Sequence, residues 1–227
     1  MSSFLPIYET FYAWQGEGSH LGRAAFFIRT FGCPVKCPWC DSAGTWHPDW
    51  VPEKIDRVAV EELADKAATT KAEFVVITGG EPAIHDLRPL TTALKHRKLP
   101  THLETSGTFE IQGELDWITV SPKWAKLPLP DVLEHASEFK LIVEDATSID
   151  RWWSILSPHH RGQTVWLHPE WSQRGNADVM NSISQHVRDR GAPFRAGFQL
   201  HRLYNVDALD LCSRPPVPLG GNSALGH

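Results

Sequence analysis

Apolar residues along this chain recur in two rhythms. The first is the short apolar run of strand length. Ala24 to Phe31 is continuous apart from Arg29 and Thr30 and reads as a buried strand. Phe74–Thr78, His102–Thr105, Trp117–Val120, Phe139–Val143, Thr164–His168 and Phe194–Leu200 read the same way. The second rhythm is helical. Val60, Leu63, Ala64 and Ala67 share one face of a helix over 60–68. Leu87–His96, Ile149–Leu156 and Ala177–Arg190 are further helices, and residues 4–13 form an extended N-terminal segment.

Strands that alternate with helices predict a parallel α/β sheet. Too little chain separates Glu104 from Trp117 for a helical crossover. Pro122, Pro128 and Pro130 discourage a long helix before Phe139. A complete eight-fold barrel needs about 250 residues, and this chain has 227. The pattern therefore predicts a partial, open (β/α) barrel with few helices, spanning 1–211. A Pro/Gly-rich C-terminal tail, expected to be mobile, follows over 212–227. Residues 49–56 read as a polar connection. Trp152 and Trp153 cannot both face one core on a helix, so one of them is expected against a partner chain.

Composition narrows the class. Hydrophobic residues make up 41% and charged residues 22%, and the formal net charge is −5. No basic stripe points to nucleic acid, and no apolar run is long enough for a membrane. Met1-Ser2-Ser3-Phe4 does not begin a secretory signal. The expectation is a cytoplasmic protein.

Candidate chemistry gathers behind the runs. Cys33, Cys37 and Cys40 lie in one short loop after the first buried run, and Cys212 is far away. Three thiolates supply three corners of an iron–sulfur cluster, which normally takes four ligands, and leave one open. The same spacing with His47 also suits a Cys₃His zinc site. Gly79-Gly80-Glu81-Pro82, Glu104–Gly107, Ser121-Pro122-Lys123 and His168-Pro169-Glu170-Trp171 each follow a strand. Parallel strands point their C-terminal ends to one face, so these segments should ring one mouth.

The pattern CxxxCxΦC at Cys33–Cys40, with Trp39 as its aromatic, together with the GGEP stretch, resembles the radical S-adenosylmethionine (SAM) superfamily. Trp14-Gln15-Gly16-Glu17-Gly18, Phe27-Ile28-Arg29, Cys40-Asp41-Ser42 and Thr78–Pro82 resemble, more narrowly, the 7-carboxy-7-deazaguanine synthase family. The resemblance implies a 4Fe–4S cluster on Cys33, Cys37 and Cys40, with SAM chelating the fourth iron and cleaved to a 5′-deoxyadenosyl radical. It implies conversion of 6-carboxy-5,6,7,8-tetrahydropterin to 7-carboxy-7-deazaguanine with loss of ammonia, on the way to queuosine. It places substrate at Trp14, Gln15, Gly16, Glu17, Arg29 and Thr78. SAM falls to Trp39, Cys40, Asp41, Gly80, Glu81, Glu104, Ser121, Pro122, Lys123, His168, Pro169, Glu170 and Trp171. Mg²⁺ falls to Ser42, where threonine is usual in the family. A flavodoxin or ferredoxin as electron donor and a homodimer are implied too. A glycyl-radical activating enzyme would share the cysteines and GGEP but not QGEG or Arg29, and a non-catalytic zinc module would need none of these. His201 carries no assigned role, and the extension from Leu203 onward leaves open whether the C-terminus reaches the substrate.

Overall fold

The computed structural model describes residues 3–214. Nine strands form one open sheet, with β3 (Asp56–Ala59) and β9 (Phe194–Ala196) at its edges. Between them run β1 (Phe4–Trp14), β2 (Ala24–Thr30), β4 (Phe74–Gly79), β5 (Thr101–Thr105), β6 (Trp117–Val120), β7 (Glu138–Val143) and β8 (Thr164–Pro169). From β2 onward, every neighbouring pair in this order is parallel. The few-helix open barrel expected from the pattern is what the chain forms.

Strand alternation decides which side chains enter the barrel. Side chains point to opposite faces at successive positions. Phe26, Ile28, Val75, Ile77 and Leu103 join one outer core beneath α1 (Val60–Ala68) and α2 (Arg88–His96). Phe139, Leu141, Val143, Val165 and Leu167 join a second, beneath α4 (Ser148–Leu156) and α5 (Ala177–Arg190). Their alternate neighbours Arg29, Thr78, Glu104 and Lys140 therefore face inward, where they line one cavity. A third cluster, Phe11, Ala13, Ala25, Phe27, Phe74, Val76 and Val206, fills part of the interior.

On β1 the register shifts between Ile7 and Glu9. That irregularity changes the face on which odd-numbered residues lie. Leu5 and Ile7 pack in the outer core, whereas Phe11 and Ala13 pack inside. Glu9 is thereby brought opposite Arg29.

Some expectations are refined and others corrected. The extended N-terminal segment is a paired strand, antiparallel to both β2 and β3. β3 lies where a connection was expected to end, and two of its four residues are charged. The last strand stops at Ala196, and α6 (Leu200–Tyr204) begins where the strand was expected to finish. The link from β6 to β7 holds only a one-turn helix, α3 (Pro130–His135), as the prolines imply. Trp152 stacks on Trp124 at 3.7 Å, and Trp153 meets Phe194 edge-on at 4.9 Å. Trp152 is thereby sealed in the core, while Trp153 stays half-buried beside Phe194. Residues 212–214 continue along the cavity mouth, where Arg214 donates its backbone N–H to Glu9. The remainder of the expected tail, 215–227, lies outside the described residues.

Candidate active site

The inward-facing side chains and the loops after the strands enclose a cavity of about 780 Å³. That falls in the range of small-molecule sites, roughly 300–1,000 Å³. It lies at the C-terminal ends of the parallel strands, where this architecture places chemistry. All the site residues expected from the sequence line it except Pro122 and His168. His168 is fully buried, and neither ring nitrogen is hydrogen-bonded to a described residue. Its ring packs where a β-carbon on Gly197 would sit, 2.2 Å from Nε2. Burial pushes its pKa down to about 4, so the imidazole is neutral.

The cysteine loop and the glycine loop are built against each other. Glu81 N–H donates to Gly32 O at 2.9 Å and Gly80 N–H to Thr30 O at 3.2 Å. A β-carbon on Gly80 would lie 2.3 Å from Gly32 O and 2.8 Å from Cys33 Cβ, so only glycine permits this approach. Glu81 is buried and spends its carboxylate inside the protein. It accepts from Thr105 Oγ1 at 2.6 Å, from Ser106 N and Oγ, and from Ala83 N. It ties the end of β4 to the end of β5.

Cys33, Cys37 and Cys40 all line the cavity. Burial raises all three thiols, Cys40 to about 12, so thiolates form there only with a cation to compensate them. Trp46 Nε1–H donates to Cys40 Sγ at 3.4 Å. Among the described residues no three His, Cys, Asp or Glu side chains converge on a single ion. His47, the fourth ligand of the Cys₃His reading, does not line the cavity that the three cysteines share. A 4Fe–4S cluster takes one thiolate per iron at separate corners, and three cysteines on one loop facing a cavity suit it. Cys212 is exposed on the C-terminal segment.

Arg29 sits between acid and hydroxyl. Its Nε donates to Glu9 Oε1 at 2.7 Å and its Nη1 to Ser42 Oγ at 2.9 Å. Ser42 Oγ in turn donates to Asp41 Oδ1 at 3.0 Å. Hard oxygen donors of this kind suit Mg²⁺. An ion at Ser42 would share that oxygen with the guanidinium, so it calls for anionic ligand oxygens to complete its shell.

The QGEG loop is fixed by residues far along the chain. Gly16 abuts His201, whose Nδ1 would lie 2.1 Å from an added β-carbon. Gly18 has φ +69 and abuts Glu138 Oε1. Gln15 Oε1 accepts from Glu17 N–H at 3.2 Å, while its Nε2 donates to Glu104 Oε1 at 2.9 Å. Lys140 donates to both Glu17 Oε2 and Glu104 Oε2. Near Trp39, the Lys123 ammonium lies 5.5 Å above the indole and donates to Ser121 O and Oγ. Glu170 caps the turn at Trp171–Gln173 through Ser172 N.

A family model of the radical SAM superfamily matches residues 27–123. A 7-carboxy-7-deazaguanine synthase of Synechocystis is 42% identical over 88% of this chain and 93% of its own length. The protein of that name from Escherichia coli K12 is 41% identical over 88% of this chain and 98% of its own. The chain belongs to the 7-carboxy-7-deazaguanine synthase family. The crystal structure of QueE from Escherichia coli superposes with a TM-score of 0.75 at 32% identity, covering 87% of this chain and 95% of that one. As a radical SAM member of this synthase family, the chain is an enzyme that uses a 4Fe–4S cluster and SAM, with Mg²⁺. Membership separates it from the glycyl-radical activating enzymes and from zinc modules.

Sequence reasoning did not single out Glu9, Lys140, Arg202 or Arg214, although all line the cavity. For Lys140 a signal existed: Glu138 and Lys140 alternate with Phe139, Leu141 and Val143, which is a polar inner face on a buried strand. No local pattern marks Arg202, which stacks 4.7 Å over Trp171, or Arg214, 4.8 Å over Tyr8.

Proposed function

We propose that this enzyme converts 6-carboxy-5,6,7,8-tetrahydropterin to 7-carboxy-7-deazaguanine and ammonia, an early step toward queuosine. The supporting observation is one cavity that joins the cysteine loop to Arg29, Glu17 and Glu104. When bound, the cluster and SAM supply a carbon-centred radical that removes and returns substrate hydrogen.

The protein's own residues do the rest. Cys33, Cys37 and Cys40 hold the cluster, and Gly80 leaves backbone room for SAM beside it. Trp39, Cys40 and Asp41 flank the adenine, and Ser121 and Lys123 offer a hydroxyl and a cation to ribose and carboxylate. Arg29 offers charged N–H donors to the substrate carboxylate, and Ser42 would offer its hydroxyl to Mg²⁺ beside it. Glu17 and the backbone at Trp14–Gly16 accept from the amino-pyrimidinone edge, and Thr78 contacts the ring system. Glu104, which the family resemblance gave to SAM, shares the Lys140 ammonium with Glu17 and is proposed on the substrate side instead. Described residues 203–214 help wall the cavity, through Asn205, Asp207, Asp210 and Arg214. That supports a substrate-side role for this C-terminal segment. A small acidic redox protein such as a flavodoxin or ferredoxin is the proposed electron donor, and the working form is a homodimer in the cytoplasm. No described helix is long and apolar enough to cross a membrane.

The test is anaerobic turnover with reductant and SAM. One ammonia and one 7-carboxy-7-deazaguanine should form per carboxypterin, with SAM recovered unchanged. SAM consumed one-for-one with product, or a deazapurine without ammonia, would sink the assignment.

A further inference from the structure

Lys140 comes from β7, whereas its two partners come from a loop more than a hundred residues earlier and from the end of β5. Its side chain is 10% exposed, that of Glu17 8% and that of Glu104 21%. Both carboxylates give Oε2 to the same ammonium. Glu104 Oε1 takes one bond from Gln15, and Glu17 Oε1 takes none from the described residues. The free sides therefore meet the cavity as acceptors. Two like charges this close and this buried cannot both persist without a cation, and one would take up a proton. A protonated carboxyl is also a donor, and it would face the N–H donors of an amino-pyrimidinone ring.

We infer that Lys140 is a positioning residue whose shared ammonium keeps Glu17 ionised and holds Glu17 and Glu104 together as a paired acceptor for the N–H edge of the substrate ring. This rests on the carboxypterin reading above. Burial opposes ionisation of Glu17, and Lys140 overcomes it, holding the carboxyl well below the usual range. Other charged or titratable groups around the pair are Glu138 on β7, His168 on β8, His201 on α6, Lys123 after β6 and Asp41 on the cysteine loop. None of them donates a hydrogen bond to either carboxylate, so none replaces Lys140 in that role.

The experiment uses cluster-loaded enzyme with SAM and no reductant, so that carboxypterin binds without turnover. Affinity is measured from pH 6 to 8.5 for wild type, Lys140→Met, Lys140→Arg and the double variant Glu17→Gln/Lys140→Met. Lys140→Met should bind carboxypterin about 10- to 100-fold more weakly near pH 7, the range expected when a charged hydrogen-bonding group is lost. Its affinity should recover as pH rises, and Lys140→Arg should restore much of it. SAM affinity should stay within about threefold, since among the described residues the Lys140 ammonium hydrogen-bonds to Glu17 and Glu104 and to neither the cysteine loop nor the glycine loop. The double variant has one carboxylate left to ionise, so its profile should parallel wild type even if the single variant folds poorly. His201 is common to all four proteins, so differences between profiles report the carboxylates.

An infrared band of protonated carboxyl should appear in Lys140→Met at neutral pH and be absent from wild type and the double variant. That readout needs no pterin. It therefore separates failure of the Lys140 inference from failure of the substrate assignment, which would show first as a wild type that ignores carboxypterin. The inference is overturned if Lys140→Met lacks the protonated band. It is also overturned if its profile parallels wild type, or if the double variant still shows the added ionisation or fails to fold.

Discussion

Replacing Gly80 by alanine tests how tightly the two loops of the site are joined. The added β-carbon would lie 2.3 Å from Gly32 O, 2.7 Å from Gly32 C and 2.8 Å from Cys33 Cβ. Ordinary contact begins near 3.4 Å, so one backbone must retreat by about an ångström, the difference between those distances. No flexible side chain can absorb the change. Overpacking of this kind costs about 1–3 kcal/mol. Straining the Glu81–Gly32 and Gly80–Thr30 hydrogen bonds adds about 0.5–1.5 kcal/mol each. A cost near 3 kcal/mol in a chain of this size lowers Tm by about 6–12 °C. Because the displaced atoms include Cys33, iron retention should fall with it. The assay is iron per chain after anaerobic reconstitution, SAM affinity and Tm, measured beside Gly175→Ala as a control. Nothing lies within 4 Å of a β-carbon at Gly175, and that variant should stay within about 0.5 kcal/mol of wild type. Full iron, wild-type SAM affinity and an unchanged Tm in Gly80→Ala would refute the reasoning.

Arg29→Lys keeps the charge but loses the planar fork that serves Glu9 and Ser42 together. Carboxypterin affinity should drop about 10- to 100-fold, as for loss of a charged hydrogen bond, with SAM binding nearly intact; equal loss of both would make Arg29 structural. Ser42→Ala should raise the Mg²⁺ concentration needed for turnover while leaving iron content unchanged, and Ser42→Thr should preserve the Mg²⁺ dependence. Superimposable Mg²⁺ titrations of wild type and Ser42→Ala would remove Ser42 from the metal site. His168 is buried with a pKa near 4, against an ordinary value of 6.5. Its folded pKa is depressed, so the unfolded chain binds the extra proton between those values. The stability that His168 contributes is full above about pH 6.5, falls as pH drops toward 4, and amounts to about 3 kcal/mol. Urea unfolding between pH 7 and 4.5 should show a shallower decline in His168→Leu than in wild type, and parallel declines would discount the burial of this ring.

Much of the fold was legible because its signals are local. The face Val60–Leu63–Ala64–Ala67 defines α1 within eight residues, and the spacing of Cys33, Cys37 and Cys40 lies within one loop. Pointing all parallel strand ends to one face was enough to gather Gly80, Glu104, Ser121 and Lys123 into one cavity with the cysteines. What escaped depends on long-range pairing. β3 carries two exposed charges in four residues and is a strand only because β1 offers an edge. The irregularity that turns Glu9 toward Arg29 is a matter of register, not of residue type. Lys140 gains its meaning from Glu17, 123 positions away. His168 follows the same strand-end rule as its neighbours, yet Gly197 gives its ring a buried slot that does not line the cavity. The extension that begins at Leu203 carried no role in the sequence, yet residues 203–214 are held in place. Val206 anchors them in the inner core, and Asp210 accepts from Tyr12 N–H at 2.7 Å.

The most direct measurement compares wild type, Cys40→Ala and Cys212→Ala for iron content and for anaerobic conversion of carboxypterin with SAM and reductant. Wild type and Cys212→Ala should carry the cluster and release equal amounts of ammonia and 7-carboxy-7-deazaguanine. Cys40→Ala should lose the cluster's visible absorbance and all turnover. A Cys40→Ala protein that still converts carboxypterin, or a Cys212→Ala protein as depleted of iron as Cys40→Ala, would contradict a three-cysteine cluster at the mouth of this barrel.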